Sequence, residues 1–230
     1  RTGLYQSGIL WKINLLEDEN IMQTIGLFPR LLAKTQIDFT KDDLSFVLKQ
    51  DYKRTALDNG SLTTNEKLLD LPKLKDLHGK ITKSLEECVY KVLMFENNVR
   101  PIITSSWCVI NKPKDWSPPH KHYNNNLSAI LYLNKPEKSG EILFHREDVG
   151  VTDSFSTQMV YNFKEQNHFN SHIGSTATTT GDMIIFPSSL NHSVQQNESN
   201  EDRIAIALNV FLEGIFDEKL ASVNLKVIKE

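Results

Sequence analysis

His120-Lys121-His122, followed by the run Leu127-Ser-Ala-Ile-Leu-Tyr-Leu133 and answered by His192 at the end of Gly181-Asp-Met-Ile-Ile-Phe-Pro-Ser-Ser-Leu-Asn-His192, decides how this chain is read. Two imidazoles at i and i+2 on an extended segment point to the same side, and a third on a later strand closes a three-point metal site. The runs around them, 102–110, 127–133, 141–144, 159–163, 183–186 and 203–212, are short and rich in β-branched or aromatic residues. Gly, Pro, Asn and Asp separate them. Such a series predicts a sandwich or barrel, with the three histidines at strand ends near one mouth.

Upstream, Leu74, Leu77, Ile81, Leu85, Cys88, Val89 and Val92 recur at three- and four-residue spacing, which predicts an amphipathic helix packed on the sheet, with Pro72 at its first turn. Asp18 or Asn20 caps an expected helix from Ile21 that Pro29 ends. The stretch 38–70 is polar, with a turn signal at Asp58-Asn59-Gly60, and reads as short elements and loops. The expected organisation is a single domain over 1–230: an N-terminal mixed strand and helix layer over 1–98, a β core over 99–213 and a C-terminal extension over 214–230.

Composition narrows the function classes. A formal charge of −3 over 230 residues, with no local basic patch, argues against nucleic acid as a partner. Cys88 and Cys108 lack Cys-x-x-Cys spacing and read as buried thiols rather than a zinc knuckle or disulfide scaffold. No apolar run approaches eighteen residues and no signal sequence is visible, so the expectation is a cytoplasmic protein without a membrane span.

The strand beginning at Arg203 supplies the second half of the site. In Arg203-Ile-Ala-Ile-Ala-Leu-Asn209, alternation puts Arg203, Ala205, Ala207 and Asn209 on one face and the large aliphatics on the other. A guanidinium, two methyls and an amide make a poor core but a good cavity wall: the alanines leave volume and the arginine offers a partner to a carboxylate. In 127–133, Ser128, Ile130 and Tyr132 alternate with apolar residues, so Tyr132 can face inward and share that carboxylate. Trp107 and Asn111 lie on the strand that enters the site. As an aromatic and an amide they also suit plain packing and turn roles.

Taken in order, Pro119-His120-Lys-His122, Leu127-Ser-Ala-Ile-Leu-Tyr-Leu-Asn134, Ser139-Gly-Glu-Ile-Leu-Phe144, Gly181 through His192 and Arg203 through Asn209 resemble the 2-oxoglutarate/Fe(II)-dependent oxygenases in their prolyl-hydroxylase-like branch, close to uncharacterised bacterial and phage members. The resemblance covers about residues 100–212. It implies a double-stranded β-helix (a cupin-like jelly roll, mainly β with supporting helices), with Fe(II) and 2-oxoglutarate as cofactors. It implies that His120, His122 and His192 form the metal and catalytic site. Arg203 and Tyr132, with Ser128 and Asn209 nearby, would bind the cosubstrate. The activity implied is oxidative decarboxylation of 2-oxoglutarate to succinate and CO2, coupled through O2 to hydroxylation of a small-molecule or peptide substrate.

One position departs from the pattern. The usual triad is two histidines and a carboxylate, and His122 stands where the aspartate is expected. Asp115, earlier in the chain, is the weaker candidate to replace it. The rival reading is a cupin-type metal-binding barrel, a dioxygenase, isomerase or non-catalytic module without 2-oxoglutarate, because Gly181, Pro187 and His192 resemble the second cupin motif. The Arg203 and Tyr132 pair separates the two readings.

Overall fold

The polar N-terminal third folds into short pieces, β1 (Ala33–Gln36), α1 (Lys41–Leu48), β2 (Tyr52–Arg54) and β3 (Ser61–Thr63). Helix α1 starts at a capping box in which the Thr40 hydroxyl accepts from Asp43 N (3.0 Å) and the Asp43 carboxylate accepts from Thr40 N (2.8 Å). Two 3-10 turns, Leu68–Asp70 and Pro72–Leu74, lead into α2 (Lys75–Glu87), with Pro72 at a first-turn position where its missing N–H costs nothing. The computed structural model describes residues 29–55, 60–146, 162–167, 169–217 and 221–228. The chain divides into units 1–30 and 31–230, and every element named here belongs to the second. The expected helix from Ile21 lies outside the described residues. So does the 159–163 run, save for Asn162 and Phe163, which belong to no strand.

Leu77, Ile81 and Leu85 are buried on α2, as the spacing requires. The predicted stripe fails at Val92, which is 56% exposed. After Glu87 the helix widens into a π-turn, Cys88–Val92, whose extra residue per turn shifts the phase and rotates Val92 off the core face.

The remaining strands are β4 (Val99–Asn111), β5 (Ser117–His120), β6 (Leu127–Asn134), β7 (Ile142–His145), β8 (Ile173–Ser175), β9 (Asp182–Pro187), β10 (His192–Val194), β11 (Arg203–Phe216) and β12 (Val223–Leu225). They form two antiparallel sheets. The major one runs β1-β9-β6-β11-β4-β3-β2 with β12 on β11, and the minor one runs β5-β10-β7-β8. This is the jelly-roll architecture, mainly β with helices supporting one face. Pro118 and Pro119 are tolerated in β5 because, among the described residues, it is an edge strand paired with β10 alone.

Period-two alternation sorts side chains between two cores. Ile204, Ile206 and Leu208 of β11, Leu127, Leu131 and Leu133 of β6, and Met183 and Ile185 of β9 join the α1 and α2 aliphatics in the larger core. The opposite faces supply Tyr132, Ile184, Phe186 and Ala205, which meet Ile142 and Phe144 from the minor sheet. The two cysteines are free and buried. No described helix is long and apolar enough to cross a membrane.

Candidate metal and carboxylate site

Strand pairing builds the histidine cluster. His120 on β5 and His192 on β10 are direct cross-strand partners, and His122 follows two residues past the end of β5, held by a bond from its N–H to Ser188 O (3.1 Å). The three imidazoles place one ligand atom each within 4.8 Å of one another. Ring centroids are 4.3 Å apart for His120 and His192 and 5.2 Å for His122 and His192.

The outer nitrogen of every ring is engaged. His120 Nδ1 donates to Pro118 O (2.8 Å) and His192 Nδ1 to Leu190 O (2.9 Å). A backbone carbonyl can only accept, so these bonds fix the Nδ1–H tautomer and leave Nε2 with its lone pair. His122 Nδ1 donates to Asn209 Oδ1 (2.5 Å), and that oxygen also accepts from Ser128 Oγ (3.0 Å) while Asn209 Nδ2 donates to Ser105 Oγ (3.1 Å). Asn209 therefore anchors His122 directly and Ser128 through Asn209, while both line the cavity. Burial pushes His192 down to about 3, and its Leu190 bond only partly offsets that and the repulsion from the other two rings. Burial also lowers His122 against the opposing effect of its Asn209 bond. Neutral, pre-oriented imidazoles fit a divalent transition metal.

The cluster opens on a cavity of about 560 Å3 between the sheets, a size usual for small-molecule sites. Trp107 stacks on His122 (5.7 Å, 29°), and Phe186 meets His192 edge-on at 4.8 Å. As the alternation predicts, Arg203, Ala205, Ala207 and Asn209 all line the cavity, together with Ser128 and Ile130. Sequence reasoning missed Leu62 and Thr63, which line it from β3. Their short polar hairpin carries no signal beyond the turn at Gly60.

Arg203 is 2% exposed. Its Nη1 is cradled by three backbone carbonyls, Ser139 O, Gly140 O (3.3 Å) and Gln195 O (3.2 Å), while Nη2 has no partner among the described residues. Among the described residues no carboxylate pairs with it. Glu141 and Asp115 support the charge only from a distance; a buried cation facing a cavity with no carboxylate in contact suits an anionic ligand, so the residues fit a dicarboxylate cosubstrate as well as a metal. Tyr132 sits opposite Ala205 on β6, fully buried in the inner core and not on the cavity wall. Among the described residues its hydroxyl makes no well-formed hydrogen bond, although Thr178 lies close to it, and burial raises it to about 12.

Asp115 is spent on an ion pair with Arg54. His145 Nε2 bonds Ser193 Oγ (2.8 Å) and lies off the cavity wall, and His78 faces Asp70 at 3.9 Å on the helix layer. His172 is exposed, and His168 lies outside the described residues.

Residues 105–209 match the model of a family described as "Putative 2OG-Fe(II) oxygenase". A search of curated protein sequences finds no match. Among solved structures, the fold resembles an oxidoreductase of the 2OG-Fe(II) oxygenase family from Burkholderia pseudomallei, at 10% identity and TM-score 0.51 over 73% of this chain and 76% of that one. It resembles a prolyl-4-hydroxylase from Pseudomonas putida at 11% identity and TM-score 0.51, over 78% and 92% of the two chains. It also resembles HygX from Streptomyces hygroscopicus, solved with nickel, 2-oxoglutarate and hygromycin B bound, at 10% identity and TM-score 0.50 over 79% and 83%. At such identities these likenesses show the fold.

Proposed function

We propose that this chain is a 2-oxoglutarate/Fe(II) oxygenase that hydroxylates a small molecule or peptide side chain in the cavity between its sheets, in the cytoplasm. When bound, Fe(II) and 2-oxoglutarate supply the oxidising power: O2 is consumed, 2-oxoglutarate leaves as succinate and CO2, and one oxygen atom enters a substrate C–H bond. The protein's part is orientation, charge and exclusion of water.

His120, His122 and His192 would hold the iron through Nε2, each ring fixed by the acceptor on its Nδ1. Three neutral ligands leave the iron's charge uncompensated, which strengthens its attraction for the anionic keto-acid end of the cosubstrate. Arg203 Nη2 would pair with the distal carboxylate, with Tyr132 buried behind the cavity wall on the β6 side. Ala205 and Ala207 leave the volume between these two poles. Trp107 and Phe186 wall the metal against bulk water.

The partnerless buried Nη2 of Arg203 carries this reading. A metal-binding barrel without the cosubstrate has no use for a cation built into its wall. The test is thermal melting with Mn(II) and 2-oxoglutarate, together and apart. A cosubstrate at a hundredfold its Kd stabilises the native state by about 2.7 kcal/mol. A melting temperature that rises with Mn(II) and rises again with 2-oxoglutarate supports the proposal, and one unmoved by 2-oxoglutarate sinks it.

A further inference from the structure

Five buried side-chain atoms have no hydrogen-bond partner among the described residues, and four belong to one patch: Arg203 Nη2, Tyr132 Oη, Asn111 Nδ2 and Ser139 Oγ. In the major sheet β11 lies between β6 and β4. Tyr132 flanks Arg203 from β6, opposite Ala205, and Asn111 is the direct cross-strand partner of Arg203 on β4. Ser139 is tied to the same guanidinium through its carbonyl. Folded proteins satisfy almost all buried polar groups, so a cluster of orphans around one cation marks a ligand's place.

Asn111, unlike Ser139, lies on the cavity wall and has no role in the reading above. It is 4% exposed and lines the cavity beside Arg203. Its main-chain carbonyl is satisfied by Asn197 Nδ2 (2.9 Å), so the side-chain amide is what stands idle. Gly60 packs against that amide closely enough that a Cβ there would lie 2.9 Å from Nδ2, which pins the side chain in place.

Arg203 cannot fork over a carboxylate with both terminal nitrogens, because Nη1 is spent on carbonyls. Two carboxylate oxygens offer about four acceptor sites, more than the three N–H groups of Nη2 and Nε can fill. We infer that Asn111 donates to the distal carboxylate of 2-oxoglutarate beside Arg203, and so makes the site specific for a keto acid with a charged far end. This inference rests on the 2-oxoglutarate reading of the cavity.

The experiment compares Asn111→Asp, Asn111→Ala and the unsubstituted protein, each loaded with Mn(II), for binding of 2-oxoglutarate and of 2-oxovalerate, which carries a methyl in place of the distal carboxylate. Asn111→Asp keeps the size but turns a donor into an anion. Affinity for 2-oxoglutarate is expected to fall about 10- to 100-fold in both variants, the range for losing a hydrogen bond to a charged group. Affinities for Mn(II) and for 2-oxovalerate should stay unchanged. Variants that bind 2-oxoglutarate like the unsubstituted protein overturn the inference, as does an equal loss for both keto acids, which would mark Asn111 as a packing residue. Failure of the unsubstituted protein to bind 2-oxoglutarate overturns the reading of the cavity and this inference with it.

Discussion

Replacing Asn209 by alanine tests whether His122 is a ligand in this chain or a neighbour of the metal. Asn209 Oδ1 is the acceptor for His122 Nδ1 at 2.5 Å and for Ser128 Oγ at 3.0 Å, and Nδ2 bonds Ser105 Oγ at 3.1 Å, so its orientation is fixed from two sides. Without that oxygen His122 loses what holds its tautomer and ring plane, while His120 and His192 keep their backbone acceptors. Loss of an outer-shell partner of a metal-bound histidine typically costs 10- to 100-fold in metal affinity, or about 1.4–2.7 kcal/mol. Asn209→Asp should act in the other direction, since a carboxylate accepting from Nδ1 makes the imidazole a more basic ligand. Competition titration of Co(II) against a chromogenic chelator, with the Co(II) visible spectrum as a report on coordination, reads both. An alanine variant that binds Co(II) within twofold of the unsubstituted protein, with the same spectrum, would refute the three-histidine assignment.

Arg203→Ala should weaken 2-oxoglutarate binding by at least roughly 30-fold, from the ~2 kcal/mol lower range for truncating a buried charged partner. Calorimetry should find metal affinity intact, and equal loss of both would reduce Arg203 to a structural residue. Gly140→Ala should damage the same pole indirectly. Gly140 has φ +82°, and a Cβ there would lie 2.7 Å from the Gln195 and Gln196 carbonyl oxygens, so its cost of roughly 1–3 kcal/mol should appear in melting along with weaker 2-oxoglutarate binding. Acid should destabilise the metal-free protein through His192. Its folded value is near 3 against about 6.5 unfolded, so its contribution is whole above pH ~6.5. The contribution then falls by about 1.4 kcal/mol per pH unit as the unfolded state takes up the proton. Urea unfolding in chelator from pH 7 to 4.5 should be steeper than in His192→Gln, and equal slopes would show that His192 is not held neutral.

Much of this was legible because period-two alternation survives intact in the strands that matter. Arg203, Ala205, Ala207 and Asn209 share a face in the sequence and a cavity wall in the fold, and His120 and His192 meet because their strands pair. Helix α2 was legible until the π-turn, a defect with no compositional signature that a 3.6-residue period cannot anticipate. The carbonyl cradle of Arg203 was invisible for a different reason: Ser139, Gly140 and Gln195 act through their main chain, which is the same in every residue. The role of Asn209 was hidden by distance, since its partners Ser105, His122 and Ser128 come from three separate segments that only the register of β4, β6 and β11 brings together. The minor sheet's β8 was not legible, because three exposed residues with a central glycine carry almost no strand signal.

Succinate release tests the central claim most directly: Fe(II)-loaded protein in air with 2-oxoglutarate, compared with Arg203→Ala and His192→Ala and repeated with candidate substrates. The account predicts succinate in stoichiometry with 2-oxoglutarate consumed, a higher rate when a true substrate is present, and background levels in both variants. No succinate above background from the unsubstituted protein under any condition, or equal release from the two variants, would contradict it.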